Sequence, residues 1–347
     1  MALPSHMRVV RLEAYHEDVT EAIRSLHVVE QPVPKPGRGQ VLVKIEATPC
    51  NPSDLLFLQG KYGQLKKLPA VPGWEGAGTV VASGHGWLAG WLNNRRVACG
   101  AAGDRDGTWA EYFLANAKEC IPLKRRLAFD AAASLIINPL TAIGLLDTAR
   151  RGGHRAAVHT AGASQLGRML IRIAGQAAYP LICVVRRQEQ VHLLKSLGAE
   201  LVLNSADVDF DGQLAQACQQ LHATVAFEAI AGDMTGRLLG VMPQGSCVYV
   251  YGSLSEKPCG NIDPIDLIFR NKTVTGFFLG EWIRRRGVFG VLRAANRVQR
   301  MLIDGQIETQ VQRHVGLDEV ADGLLRYVES MSDGKVLILP HKRQTLT

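Results

Sequence analysis

AAVHTAGASQLGRMLIRIAG, residues 156–175, is the stretch that decides how this chain folds. Ala156 to Thr160 form a short run of apolar and β-branched residues, the pattern of a buried strand. A turn of small residues follows, and a helix is expected from Gly167 to about Ala177. The turn contains G-x-S-x-x-G, at Gly162, Ser164 and Gly167. A helix that starts there aims unpaired N–H groups and the positive end of its dipole at the turn, which suits a pyrophosphate. Small side chains let a ligand approach the backbone closely. A loose glycine motif also fits a plain strand–turn–helix. The strand before it and the βαβ unit after it favour a dinucleotide site.

The pattern continues downstream. LICVV (181–185), LVLN (201–204), ATVAFEAI (223–230), SCVYVYG (246–252) and TVTGFF (273–278) read as strands. Helices from Glu189 to Leu197, closed by Gly198, and from Gly212 to Leu221 lie among them. Near-continuous apolar strands alternating with helices imply a parallel sheet covered on both faces. That is a Rossmann, doubly wound α/β domain. Its second strand ends VVRR, at Arg186 and Arg187, where an NAD site usually carries an acidic residue for the ribose. Two arginines instead suit a 2′-phosphate, held by charge-assisted hydrogen bonds. A solvated surface pair is the competing reading. The expected cofactor is NADPH.

Upstream, FDAAASLIINPLTAIGLLDTA starts an Ala-rich helix at Phe129. Pro139 interrupts the pattern, and a second helix is expected from about Thr141. Residues 1–120 read as β-rich. VLVKIEA (41–47) alternates apolar and polar residues, GAGTVVASG (76–84) is glycine-bounded, and RVACG (96–100) is a third strand. After Arg284 come an amphipathic helix (Val288–Leu302), a short strand, a helix around Glu319–Glu329, and the strand KVLIL (335–339). Three segments are therefore expected. They are a catalytic domain over 1–120, a cofactor domain over 121–283, and a return to the catalytic domain over 284–347.

Composition is that of a globular chain, with 47% hydrophobic and 20% charged residues among 347. Seven cysteines, an odd number with no C-x-x-C pair, argue against a disulfide framework and fit a reducing cytoplasm. No apolar leader and no run of 18 apolar residues occurs, so neither a signal peptide nor a membrane span is expected. Ser5-His6-Met7 reads as a cloning scar with Met7 as the natural start. A net charge of +7 falls in short clusters without interleaved aromatics. An anionic small ligand accounts for it better than nucleic acid.

NPSDLLFLQGKYGQLKKLPAVPGWEGAG (51–78) resembles the catalytic-domain signature of the medium-chain dehydrogenase/reductase superfamily. The resemblance implies a β-rich GroES-like catalytic domain beside the Rossmann domain. In zinc-dependent members this region supplies a Cys and a His ligand. The aligned residues here are Asn51 and Trp74, and neither amide nor indole is an ordinary zinc ligand. No metal is expected. With INPLTA (137–142), LKSLGAE (194–200), VYGSLSEKP (250–258), GFFLGEW (276–282) and GKVLI (334–338), the chain is more closely similar to the zinc-independent 2-enoyl thioester reductases. It is less closely similar to the NADPH:quinone oxidoreductases.

The resemblance to the enoyl reductases implies a Tyr proton donor at Tyr62 and an acyl pocket near Trp282; Asn51 is a further candidate substrate contact. It places the cofactor against Asn138 and Thr141; Ala163, Ser164, Gln165, Leu166 and Gly167; and Arg186, Arg187 and Gln188. It adds Tyr251, Gly252, Ser253 and Leu254, then Phe277, Phe278 and Leu279, and Lys335. Gln165 and Gln188 depart from the family pattern, which commonly has Gly and a charged residue at these places. The substrate is an enoyl thioester or, alternatively, a quinone. The resemblance also implies a homodimer joined through the sheet edge at Lys272–Phe278. Competing readings remain for single residues. Tyr62 also fits a half-buried packing role, Trp282 a domain junction, and Asn51 the cap of a helix beginning at Pro52 or a position facing the cofactor. Glu75 reads as a structural hydrogen-bonding residue, His85 as a turn residue and His159 as a strand end.

Overall fold

A computed structural model describes residues 3–342; residues 1–2 and 343–347, the outer ends of the first and last expected segments, lie outside the described residues. The chain opens with β1 (His6–Arg11) and β2 (His27–Pro32), an antiparallel pair linked through α1 (Val19–Arg24). Then come β3 (Gln40–Pro49), α2 (Pro52–Leu58), β4 (Glu75–Ser83), α3 (Trp87–Leu92), β5 (Arg96–Gly100), β6 (Tyr112–Asn116), β7 (Cys120–Pro122) and α4 (Phe129–Ala133). β3 pairs antiparallel with β4 and β6, β4 with β5, and β5 with β7. The alternation in VLVKIEA sends Val41, Val43 and Ile45 into one core with Val80, Val97 and Phe113. Gly78 is required where β4 crosses β3, because a Cβ there would lie 1.9 Å from the Lys44 carbonyl oxygen.

The middle of the chain runs α5 (Ile137–Arg151), β8 (Ala156–His159), α6 (Gln165–Gln176), β9 (Leu181–Val185), α7 (Gln188–Ser196), β10 (Leu201–Asn204), α8 (Phe210–Leu221) and β11 (Ala223–Glu228). α9 (Asp233–Val241), β12 (Cys247–Val250), α10 (Pro264–Ile268), β13 (Thr273–Gly276) and α11 (Leu279–Ile303) complete it. The six strands form one parallel sheet in the order β10-β9-β8-β11-β12-β13. This is the doubly wound sheet implied by the sequence. From β8 the chain winds outward to β9 and β10, then returns to β11 on the other side. The strand order therefore reverses between β8 and β11, where open α/β sheets bind ligands.

One local expectation needs correction. The second helix of this region starts before Pro139 rather than after it; α5 already runs from Ile137, and the proline sits in its first turn, where an N–H has no intrahelical acceptor to lose. The helix expected from Val288 is present: within Leu279–Ile303, Gly287 has a φ of 68° that no helix interior adopts, so it separates a first helical stretch from the one that begins at Val288.

The return segment adds β14 (Val311–Val315), α12 (Val320–Glu329) and β15 (Lys335–Ile338). β15 pairs antiparallel with β3 and parallel with β14, so residues far apart in the chain complete one seven-stranded sheet. Leu324 and Tyr327 of α12 share a core with Phe57 and Leu58 of α2.

The contacts divide the chain into one unit of residues 1–137 with 292–347 and a second of 138–291. The sequence places these divisions at 120/121 and 283/284. The first unit reaches further because α4 packs on β3 and β4, and because the Ile136 and Ile137 N–H groups donate to Glu75 at 2.9 and 3.0 Å. Among the described residues no helix is long and apolar enough to cross a membrane.

Candidate functional site

In the first unit the site grows from the junction of β3 with α2. Asn51 is the N-cap residue of α2 ahead of Pro52, as N-P predicts, and its N–H donates to Asp54 Oδ2 at 2.7 Å, while its side chain is held by other groups. Its Oδ1 accepts from the Lys335 ammonium at 2.6 Å, and its Nδ2 donates to Glu75 Oε1 at 3.1 Å. Lys335, on β15, also donates to the Cys50 carbonyl at 3.2 Å. Asn51, Glu75 and Lys335 are all buried. Glu75 is the structural hydrogen-bonding residue expected. Burial pushes its carboxyl up, against the N–H of Ile137, the charge of Lys335, the Asn51 amide and the N–H of Ile136, which pull it down. Lys335 is drawn into this network instead of projecting as an exposed cation.

Tyr62 lies in the loop after α2. Its N–H bonds to the Leu56 carbonyl at 3.1 Å, which folds the loop back on the helix. Its ring meets Trp74 at 5.1 Å between centroids, and Trp74 meets Phe57 edge-on at 5.4 Å. The ring packs on the core, but among the described residues the hydroxyl has no hydrogen-bond partner. Burial, and next the charge of Asp54, raise the phenol above its usual value.

A second cation sits behind the same aromatics. Lys66 is buried, donates to the Val71 carbonyl at 3.0 Å, and stands 4.6 Å from the Trp74 ring centroid. Burial lowers it to about 8. The sequence passes over Lys66 as one of an ordinary lysine pair. A lysine four residues after a candidate catalytic Tyr, inside an apolar segment, is the only signal it offers.

A divalent metal does not fit this place. The Asn51 amide is engaged at both ends, by an ammonium and a carboxylate, and Trp74 turns its indole N–H toward the Ser53 carbonyl at 3.4 Å. Among the described residues no group of three or more His, Cys, Asp or Glu side chains is placed to hold a metal ion.

In the second unit the turn after β8 forms a cradle. Ser164 caps α6 by accepting the Gly167 N–H at 3.1 Å. A Cβ on Gly167 would lie 2.2 Å from the Gly162 carbonyl oxygen, so glycine is obligatory there. Ala163, Leu166 and Gln165 line the same turn with buried side chains. Arg186 and Arg187 leave β9 exposed, with Gln188 opening α7. Asn138 and Thr141 are buried in the first turn of α5. Tyr251, Gly252, Ser253 and Leu254 follow β12. Phe277 and Phe278 follow β13, and Leu279 opens α11. All of these belong to the unit whose strand order reverses between β8 and β11. Small residues, a helix N-terminus and exposed guanidinium groups fit a phosphorylated dinucleotide. Trp282 is in this unit too. Its indole donates to Asp147 at 3.2 Å, and the ring lies against Gly144.

Two further groups stand at this edge. Glu228, at the end of β11, accepts from the Ile230 and Ala231 N–H groups at 2.6 and 2.7 Å and from Thr160 and Thr235. It fixes the turn opposite the glycine cradle. His159 is the strand end expected, yet it is fully buried and shares a 2.8 Å hydrogen bond with the Tyr251 hydroxyl. Burial lowers its pKa from 6.5 to about 3. Between those values the unfolded chain binds a proton that the folded chain excludes, so stability is lost as pH falls through that window. His159→Gln should reduce the loss between pH 7 and pH 4 by about 2–3 kcal/mol. Urea unfolding at the two pH values checks this; equal losses in both proteins would refute it.

The chain resembles known proteins throughout its length. Residues 37–125 match the alcohol dehydrogenase GroES-like domain, and residues 166–294 match the zinc-binding dehydrogenase domain. The mitochondrial enoyl-(acyl-carrier-protein) reductase of Caenorhabditis elegans is 26% identical over 92% of this chain and 92% of its own. The human protein of that description is 30% identical over 70% of this chain and 66% of its own. A crystal structure from Mesorhizobium loti, described as a putative NADPH:quinone reductase, is 34% identical. It superposes with a TM-score of 0.90 over 98% of this chain and 100% of that one.

Proposed function

Because the chain belongs to the medium-chain dehydrogenase/reductase superfamily, we propose that it is an NADPH-dependent, zinc-independent reductase of conjugated double bonds, acting on trans-2-enoyl thioesters with Tyr62 as proton donor. The observation that carries this reading is the Tyr62 phenol. It is packed on Trp74 with its hydroxyl uncommitted among the described residues.

Reduction of an enoyl thioester places hydride on the β-carbon and a proton on the α-carbon. When bound, NADPH supplies the hydride. As negative charge develops on the thioester oxygen, a positioned hydrogen-bond donor lowers the barrier. The Tyr62 hydroxyl donates to the developing enolate and passes its proton to the α-carbon, and solvent restores the phenol. A raised pKa keeps that phenol protonated at neutral pH, so the donor form is the resting form.

In the second unit the backbone from Ala163 to Gly167 would hold the pyrophosphate, and Arg186 with Arg187 the 2′-phosphate. Replacing both arginines with alanine should weaken NADPH binding about 10–100-fold and leave NADH binding unchanged, since charge-assisted hydrogen bonds contribute about 1.5–3 kcal/mol. Titration of cofactor fluorescence measures both, and equal losses for the two cofactors would remove the 2′-phosphate assignment.

β13 is the edge strand of its sheet, with Thr273, Thr275 and Gly276 exposed. A homodimer joined there follows from the same reading. Light scattering should give twice the 37.8 kDa chain mass, and a monomer at micromolar concentration would contradict it.

The second reading is quinone reduction, favoured by the 34% identity to the protein described as a putative NADPH:quinone reductase. One preparation assayed for NADPH oxidation with crotonyl-CoA and with a benzoquinone separates the two. The thioester reading expects the larger kcat/KM on crotonyl-CoA, and turnover of the quinone alone would overturn it.

A further inference from the structure

The loop that carries Tyr62 is fastened at both ends. At its start the Tyr62 N–H bonds to the Leu56 carbonyl at 3.1 Å. At its end Tyr15, between β1 and α1, donates its hydroxyl to the Lys66 carbonyl at 2.7 Å and accepts the Lys66 N–H at 3.0 Å. With its backbone so held, Lys66 buries its side chain among aromatic rings. The ammonium donates to the Val71 carbonyl at 3.0 Å, and stands 4.6 Å from the Trp74 ring centroid and 5.3 Å from that of Phe57. Both distances lie within the roughly 6 Å over which the negative face of a ring attracts a cation.

The indole under this ammonium is also the one that Tyr62 leans on, at 5.1 Å between ring centroids. Its other holds are the edge-on Phe57 ring at 5.4 Å and a long hydrogen bond from its N–H to the Ser53 carbonyl at 3.4 Å. A bond of that length is weak, which leaves the ammonium as the main polar hold on the ring. An apolar side chain of the same length would fill the space without taking a charge out of water, so packing alone gives no reason for a lysine. We propose that Lys66 is a positioning residue for the reduction, whose ammonium fixes the Trp74 indole and through it the aim of the Tyr62 hydroxyl. The role rests on Tyr62 being the donor, and it adds the group that orients that donor. Burial lowers the amine to about 8, with Asp54 and Asp106 favouring its charge and Arg105 opposing it, so it is a cation at neutral pH. Because the donor acts on charge that develops only during the reaction, a loosened Tyr62 costs kcat and leaves KM alone.

Lys66→Met keeps the length of the side chain and removes its charge. On crotonyl-CoA it should lower kcat by about tenfold with KM unchanged. An unchanged kcat, or a loss confined to KM, overturns the proposal. The same substitution placed in Tyr62→Phe should cost no further rate, since the lysine acts only through the hydroxyl. A second full loss there overturns the proposal equally. Should Lys66→Met fail to fold, fluorinated tryptophans at position 74 provide the test with Lys66 in place. Each added fluorine withdraws negative charge from the ring face and nearly keeps its shape, so kcat should fall stepwise from the mono- to the di- to the trifluoro chain. A merely structural indole would give a flat series, and that result overturns the proposal. If Tyr62→Phe is itself fully active, the donor reading has failed. If Tyr62→Phe is impaired while Lys66→Met and the fluorinated chains are not, the positioning role alone has failed, so the two failures can be told apart.

Discussion

Tyr62→Phe is expected to lower kcat on an enoyl thioester by about 10²–10⁴-fold, the usual contribution of a positioned general acid. The substitution removes one hydroxyl and leaves the ring. The packing on Trp74 at 5.1 Å and the fold-back of the loop through the Tyr62 N–H both survive, because neither uses the oxygen. The hydroxyl has no partner among the described residues, so its removal orphans no buried protein group, and stability should change by less than about 1 kcal/mol. The residues proposed to hold the dinucleotide, in the second unit, are untouched, and cofactor affinity should be unchanged. This combination separates a donor from the packing tyrosine that the sequence equally allows. A packing residue would lose stability when truncated and lose little rate when only its oxygen is removed. Stopped-flow kinetics with saturating cofactor, beside a urea melt, reads both quantities. Full turnover would return Tyr62 to packing.

Lys335→Met should destabilise the first unit by about 3–5 kcal/mol, the usual consequence of removing one partner from a buried charged network. The ammonium is 2% exposed and answers to Asn51 Oδ1, the Cys50 carbonyl and the nearby charges of Glu75 and Asp54. Methionine fills much the same volume, so the loss is electrostatic. Without the ammonium, Asp54 and Glu75 rise further above the ordinary carboxyl range. A carboxyl raised in the folded state holds its proton while the unfolded chain releases it. Stability is therefore lost as pH rises above the unfolded values near 4, and the deficit of Lys335→Met should be larger at pH 8 than at pH 4. Urea unfolding at both values checks the size and the sign. A deficit independent of pH would mean that packing, not charge, accounts for the residue.

The fold is legible in the sequence wherever it is set by neighbours in the chain. Alternation in VLVKIEA, the glycines of β4 and the glycine turn before α6 each state a local requirement. RVACG occupies the five residues of β5. Local patterns mislead where position inside an element matters. Pro139 looks like a break, yet in the first turn of α5 it costs no hydrogen bond. The Asn51–Glu75–Lys335 network was much less legible. Lys335 meets Asn51 across 284 residues and Glu75 meets Ile137 across 62, and no periodicity encodes such meetings. Lys335 could be read only through resemblance, as a cofactor contact, while its partners inside the first unit emerge from β15 pairing with β3. The division of the chain moved for the same reason, since Glu75 ties Ile136 and Ile137 to the first unit.

The proposed reduction delivers hydride to the β-carbon of a conjugated thioester and takes the second hydrogen from a protein acid that exchanges with water. Reduction of crotonyl-CoA with NADPH deuterated at the transferred position, followed by mass spectrometry and NMR of the product, tests it most directly. The expected product is butyryl-CoA with one deuterium, located on the β-carbon, and an α-hydrogen drawn from solvent. Unchanged crotonyl-CoA, with the cofactor oxidised only when a quinone is added, would contradict it.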